Sequence, residues 1–105
     1  MVERHWRGIS IREKAEQYIH HLTNETLPDL KALPGFKSLS ILRREVREGT
    51  AFLIITRWET LEDMRSFAGI DLESAVVPDL VKSIMIKFDS RVEHFNVVHQ
   101  SESSN

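Results

Sequence analysis

The segment 51–58 constrains the fold most, because it is apolar on both faces of a predicted strand. Its alternate residues form two sets, Phe52, Ile54, Thr56 and Trp58 on one face and Ala51, Leu53 and Ile55 on the other. Alternate residues of a strand point to opposite sides of the sheet, so both sides must be covered here. Helices in a chain of 105 residues cover one side only, and we therefore expect a partner chain to cover the other.

The chain before this strand is predicted to contain a strand, a helix and a second strand. Val2 to Ile9 is predicted as the first strand, and Ser10 with Glu13 as the capping box of a helix that begins near Ile11. Apolar residues at three- and four-residue spacing make that helix amphipathic: Ile11, Ala15, Tyr18, Ile19 and Leu22. Pro34 and Gly35 end the helical region, and Phe36 to Val46 is predicted to form a hairpin with the segment 51–58.

The chain after this strand is predicted to add helices and a last strand. Thr60 and Asp63 predict another capped helix, which ends at Gly69. One or two short helices are expected around Pro78, followed by a strand over Arg91 to His99. The order βαββαβ predicts a ferredoxin-like α+β fold, with a four-stranded antiparallel sheet and both helices on one face. Residues 1–99 are predicted to form the domain and 100–105 a disordered tail.

Composition argues against several classes of protein. Fourteen Lys and Arg against sixteen Asp and Glu give a formal net charge of -2. The chain therefore lacks the excess of positive charge that is typical of proteins that bind nucleic acid or an anionic membrane. The longest apolar run, Ala51 to Ile55, is far shorter than the ~20 residues that span a bilayer. Cysteine is absent, which removes disulfides and fits a reducing cytoplasm. We expect a cytoplasmic protein with no nucleic-acid and no membrane partner.

The histidines form no metal-binding pattern. His20 and His21 are neighbours on a helix and point about 100° apart, and His94 and His99 face opposite sides of a strand. The nucleophile elbow, the phosphate-binding loop and the dinucleotide-binding glycine pattern are absent as well. We predict no metal and no cofactor, and histidines that face solvent or are hydrogen-bonded.

Two tryptophans give the clearest signal of a ligand site. Trp6 lies near the end of the first strand and Trp58 at the end of the third, and adjacent central strands could bring both toward one cavity. Plain core packing is the other interpretation. The side chains that could line the same space between sheet and helices are Tyr18, Met64, Phe67 and His94.

Several longer motifs occur along the chain: Trp6-Arg7-Gly8, Leu33-Pro34-Gly35-Phe36, the strand from Phe52 to Trp58 with Glu59-Thr60 after it, Phe67-Ala68-Gly69, Val76-Val77-Pro78 and Val92-Glu93-His94-Phe95. Together they resemble the antibiotic biosynthesis monooxygenase family of the dimeric α/β-barrel superfamily. The resemblance covers nearly the whole chain. It implies a homodimer in which two sheets face each other as a barrel.

The resemblance also implies a range of activities. Members of the family include cofactor-free oxygenases, which deprotonate a polyketide-type phenol that then reacts with O₂, and heme-degrading oxygenases. The heme-degrading members resemble this chain at Trp58, but they also use an Asn on the first strand and a His on the helix after that Trp, and neither is present here. In the phenol oxygenases Trp58 matches a pocket Trp, while Ile54 replaces a polar partner.

We therefore predict a monooxygenase-like protein that oxidises an aromatic or polyphenolic small molecule without a cofactor. The alternative is a non-catalytic homodimer that binds a small hydrophobic ligand or serves as a partner subunit. A heme-degrading oxygenase is the third possibility.

Roles follow for individual residues. His94 is the predicted base, because imidazole titrates near neutral pH, and Trp58 is the second predicted catalytic residue. Trp6, Tyr18, Met64 and Phe67 are predicted to bind the substrate, with the indole N–H groups of Trp6 and Trp58 facing a developing oxyanion. His5 is the reserve base, and Arg7 or Arg57 either stabilises the anion or is simply solvated.

Overall fold

The sheet carries the architecture, and in the computed structural model, which describes residues 1–103, it has five antiparallel strands. These are β1 (Val2–Ser10), β2 (Phe36–Glu45), β3 (Thr50–Trp58), β4 (Met85–Phe88) and β5 (Glu93–Asn96). β1 pairs with β3 on one side and with β4 and β5 on the other, and β2 forms the edge beyond β3. This confirms the predicted ferredoxin-like α+β fold.

The helices lie between β1 and β2 and between β3 and β4. The first group runs without a break through a 3₁₀ turn (Arg12–Lys14), α1 (Ala15–His21), a π-helical turn (Leu22–Thr26) and α2 (Leu27–Lys31). The second consists of a 3₁₀ turn (Glu62–Met64), α3 (Arg65–Ala68) and α4 (Asp79–Ile84). Within residues 1–103 no helix has the length and apolar character to cross a bilayer.

The alternation of β3 is as predicted. Phe52, Ile54, Thr56 and Trp58 are buried, whereas Ala51, Leu53 and Ile55 are half-buried. The buried set packs with the helices, since Phe52 and Ile54 share a core cluster with Ala15, Tyr18 and Leu22 of the first helical group. The half-buried set lies on the outer face of the sheet.

The last edge of the sheet differs from the prediction of one strand over residues 91–99. The predicted strand is present in shortened form as β5, and β4 is an additional short strand before it. The chain leaves the sheet opposite Trp6 and Arg7 between the two strands and then returns. β4 pairs with Gly8–Ser10 and β5 with Val2–His5. In the gap the indole Nε1 of Trp6 donates to the Asp89 carbonyl at 2.8 Å, and the Asp89 N–H donates to the Arg7 carbonyl at 3.0 Å.

The capping box predicted at Ser10 and Glu13 is wrong. Ser10 is the last residue of β1, and its side chain is fully buried with no hydrogen-bond partner for Oγ. Pairing with Thr50 of β3 fixes this orientation. Ile11 takes the N-cap position instead, without a side-chain hydrogen bond.

The second capping box is confirmed. The Thr60 N–H donates to the Asp63 carboxylate and the Asp63 N–H to the Thr60 hydroxyl, each at 3.2 Å. Gly69 ends α3 with a φ of 83°, in the left-handed region that favours glycine. Residues 100–103 of the predicted tail are exposed and have no regular secondary structure, and residues 104 and 105 lie outside the described part of the chain.

Candidate functional site

A cavity of about 430 Å³ lies between the sheet and the helices. Its volume is within the range of about 300–1,000 Å³ that is typical of small-molecule sites. Its apolar wall is formed by Trp6, Tyr18, Leu22, Leu30, Leu33, Leu39, Ile54, Phe67, Val76, Pro78, Val81 and Val92, and its polar wall by Arg4, His21, Glu25, Thr26, Asp29 and Thr56. Most of the wall is apolar, so the cavity suits an organic ligand with a few polar substituents.

Three of the four predicted substrate-binding residues, Trp6, Tyr18 and Phe67, line this cavity. The rings of Trp6 and Tyr18 have centroids 6.3 Å apart. Gly8 makes room for the indole, because a Cβ at this position would lie 2.8 Å from Cη2 of Trp6. The hydrogen bond to the Asp89 carbonyl fixes the indole and uses its only N–H.

The structure places Met64 and Trp58 in the core next to the cavity. Both are 0% exposed and pack in one cluster with Val2 and Leu30. Trp58 reaches the cavity indirectly, since its ring stacks on Phe67 with centroids 6.1 Å apart. Its Nε1 donates to the Thr56 hydroxyl at 2.9 Å. The indole N–H groups of both tryptophans are therefore donated to protein acceptors in this structure.

His94 contacts a residue of the cavity wall without being part of the wall. It lies opposite Arg4 in the β1–β5 ladder, and its Nε2 is 3.3 Å from Arg4 Nη1. The pKa of His94 is lowered, mainly because the ring is partly buried and also because of the Arg4 charge. At neutral pH the imidazole is therefore neutral and accepts a hydrogen bond from the guanidinium.

The reserve base His5 and the two candidate anion-stabilising residues, Arg7 and Arg57, lie on β1 and β3. His5 contacts the Glu3 carboxylate at 2.8 Å, and Arg57 donates to the same carboxylate at 2.7 Å. Arg7 pairs with Glu93. None of these three side chains, His5, Arg7 and Arg57, lines the cavity between sheet and helices.

Arg4 is a residue of the wall that sequence reasoning missed. Its side chain is buried, with 4% of the residue exposed. Nη2 donates to the Ser74 carbonyl at 2.7 Å, Nη1 donates to the Leu72 carbonyl, and the guanidinium carbon lies 5.6 Å from the centre of the Phe67 ring. Burial lowers the pKa of Arg4 to about 10, so the group is still charged at neutral pH.

A histidine–carboxylate pair on the wall was also missed. The side chain of His21 is only 12% exposed, and its Nδ1 lies 2.5 Å from Glu25 Oε2, while Nε2 lies 3.3 Å from the Thr26 hydroxyl. The π-helical turn over Leu22–Thr26 explains both contacts, because residues four and five positions on lie near the same ring. With the Nδ1 hydrogen directed at Glu25, Nε2 is the proton acceptor.

Comparison with known proteins places this fold. No protein-family model matches the sequence, and no curated protein matches it. A Bacillus cereus structure, provisionally assigned as an antibiotic biosynthesis monooxygenase, aligns over 100% of this chain and 98% of its own, with a TM-score of 0.70 and 17% identity. The chain shares its fold.

A second solved structure has the same architecture. It is the heme-degrading protein MhuD of Mycobacterium tuberculosis with two hemes bound in its active site, which aligns over 97% of this chain and 100% of its own, with a TM-score of 0.62 and 17% identity. At these identities the likeness establishes the fold, and it agrees with the family resemblance of the sequence motifs.

Heme is the cofactor that the second comparison raises, and the residues of this cavity do not fit it. Heme iron takes axial ligands from His, Met, Cys or Tyr. Among the described residues, His21 is the one histidine of the wall, and both of its ring nitrogens have partners. Burial raises the pKa of the Tyr18 hydroxyl, which disfavours a phenolate ligand. The segment from Glu62 to Ala68, after Trp58, contains no histidine.

Proposed function

We propose that this chain is a monooxygenase-like protein that oxidises an aromatic, phenolic small molecule with O₂ and without a metal or flavin. The observation that carries the proposal is the apolar cavity with aromatic residues and a histidine–carboxylate pair on one wall. Trp6, Tyr18 and Phe67 supply surfaces for a planar ring. The fold likeness to the Bacillus cereus protein supports the reaction class.

In the proposed reaction, His21 removes a proton from the substrate. The phenolic hydroxyl of the substrate replaces the Thr26 hydroxyl as the hydrogen-bond donor to Nε2, Nε2 then takes its proton, and the Glu25 carboxylate stabilises the imidazolium that forms. The electron-rich anion then reduces O₂. For a hydroxyanthrone, the ring methylene becomes a carbonyl with one oxygen atom, and the other oxygen atom leaves as water with the two methylene hydrogens. His21 then returns its proton to the phenolate oxygen, which restores the neutral imidazole. The substrate supplies all the electrons.

His94 stays in the proposal in its predicted role as a base, and Trp58 stays in it as a positioning residue in place of its predicted catalytic role. His94 is the second candidate base, because it is neutral and held beside the cavity by Arg4. Trp58 acts by positioning, since it supports Phe67 and holds the hydroxyl of Thr56, and both of these residues line the cavity.

Oxygen uptake with a panel of hydroxyanthrones and hydroquinones tests the reaction. Loss of a general base typically lowers the rate about 10²–10⁴-fold, so His21→Ala and His94→Ala separate the two candidates. His20→Ala is the matched control, because His20 is the exposed neighbour of His21. Wild-type rates in His21→Ala, His94→Ala and Trp58→Phe would remove these three residues from the mechanism.

A specific observation favours the non-catalytic alternative, a protein that only binds a small hydrophobic ligand. The N–H groups of both tryptophans and both nitrogens of His21 already have partners in this structure. A ligand that binds in the cavity while no phenol supports oxygen uptake would establish this alternative. The cytoplasmic location and the absence of nucleic-acid and membrane partners stay predictions.

We also propose a homodimer through the outer face of the sheet. Leu53 and Ile55 are half-buried there, and Leu42 and Phe95 are each 47% exposed. A shallow groove of about 600 Å³ runs over Ile9, Leu42, Ala51 and Leu53. Exposed apolar patches of this kind mark protein–protein contacts.

Light scattering after size exclusion tests the dimer. The mass measured for wild type should be twice the 12.2 kDa mass of the chain. Leu53→Asp should dissociate the dimer, because a carboxylate would be buried in the interface. Leu61→Asp is the control, since Leu61 is an exposed leucine of the helical segment. A monomeric wild type at micromolar concentration would contradict the proposal.

A further inference from the structure

Arg4 differs in its charge environment from the arginines that form ion pairs. Ion pairs with Asp or Glu are formed by Arg7, Arg12, Arg43, Arg57, Arg65 and Arg91. All of these side chains are at least 20% exposed. Arg4 is far more buried, and in the described part of the chain no carboxylate lies within ion-pair distance of it. A buried charge is stable only when it is paired or well hydrogen-bonded.

We infer that the cavity takes an aromatic anion whose carboxylate, or a similar oxyanion, binds to the guanidinium of Arg4. The protein supplies the Leu72 and Ser74 carbonyls and Nε2 of His94 as acceptors, and the guanidinium has more N–H donors than these. An anion at this point would provide the missing counter-charge. The inference names the substrate class of the proposed function and rests on that function for placing the ligand in the cavity.

The second polar group of the wall orients the ligand. Glu25 and Asp29 add negative charge beside His21, which disfavours an anionic substituent there. A hydroxyl group suits that position, because it can donate to His21 Nε2. The structure therefore favours a planar ring system that carries both a carboxylate, for Arg4, and a phenolic hydroxyl, for His21.

Arg4 also connects the sheet to the segment around Leu72 and Ser74, and this structural role needs no ligand. The two roles differ in what they predict for binding. A structural role makes the affinity for an aromatic ring indifferent to its charge. An anion site makes the affinity depend on the charge of the ligand, and this dependence should disappear when Arg4 is replaced.

Calorimetric titration at pH 7.5 with 2-naphthoate and with the neutral 2-naphthamide separates the two roles. A hydrogen bond to a charged group contributes roughly 1.5–3 kcal/mol, so wild type should bind naphthoate roughly 10- to 100-fold more tightly. Arg4→Gln should abolish the preference. Arg65→Gln should keep it, because Arg65 is exposed and lies outside the cavity wall.

The wild-type comparison decides the inference even if Arg4→Gln fails to fold. Equal affinities for the two probes, or no binding of either, would overturn it. A preference for naphthoate that survives in folded Arg4→Gln would also overturn it. Naphthoate binding without oxygen uptake from any phenol would uphold the anion site and reject the oxygenase. Equal turnover of a hydroxyanthrone and its carboxylate would uphold the oxygenase and reject the anion site.

Discussion

Replacing Met64 with alanine separates a core residue from a ligand-binding residue. The side chain is fully buried beside Trp58 and Leu30, and the substitution removes roughly three methylene-sized groups, each contributing about 0.8 kcal/mol. With the cavity that remains, the free energy of unfolding should fall by about 3 kcal/mol, within the range of roughly 2–5 kcal/mol for buried Met→Ala changes. In a domain of this size such a loss lowers Tm by about 12–24 °C.

Urea denaturation followed by far-UV circular dichroism measures the change in stability, and calorimetry with 2-naphthoate measures binding in the same samples. We expect the dissociation constant of Met64→Ala to stay within about twofold of wild type. Leu61→Ala is the matched control, because Leu61 is 43% exposed on the preceding turn, and it should cost less than about 1 kcal/mol. A stability loss below about 1 kcal/mol, together with binding that is tenfold weaker, would refute this reasoning and make Met64 a contact of the ligand.

Three further outcomes follow from the site. Gly8→Ala should reduce stability by roughly 1–3 kcal/mol and change the near-UV dichroism of the indoles, because the new Cβ would lie 2.8 Å from Cη2 of Trp6; an unchanged spectrum would contradict this. The pKa of His94 is lower in the folded protein than in the unfolded chain, where it is about 6.5. The neutral ring therefore contributes its full stability above that pH, and the contribution is lost as the pH falls. Wild type should lose more stability than His94→Gln between pH 7.5 and 5.5, and equal losses would argue against this. Hemin should give no sharp Soret band at one equivalent, since the wall offers no free axial ligand. Such a band would show that heme does fit the cavity.

The central part of the fold could be predicted because residues 51–58 form a short run, apolar on both faces of a strand and rich in β-branched and aromatic residues. In the structure the burial of β3 alternates between the two predicted faces. The last edge could not be predicted in the same way. Met85–Phe88 has four residues and follows the helical spacing of α4 directly, so it contains too few alternations to indicate a strand.

The polar part of the candidate site could not be predicted for two separate reasons. Arg4 stands between Glu3 and His5 in a polar stretch; strand alternation places it on the same face as Trp6, but the sequence does not show that this charged side chain is buried there. His21 was expected to be solvent-facing or hydrogen-bonded, and it is hydrogen-bonded; what the sequence did not show is its place on the cavity wall. The π-helical turn after it adds a residue per turn that a regular helical period does not contain.

The sheet edge beside β1 is broken between β4 and β5, which lets the two short strands unfold separately. β5 holds only the first half of β1, and β4 holds the second half, so either can separate without the other. Amide hydrogens of the short and largely exposed β5 are therefore expected to exchange with solvent before those of β4. Because β5 carries His94 opposite Arg4, this local unfolding gives water and small solutes a route to the buried guanidinium while the helices stay in place.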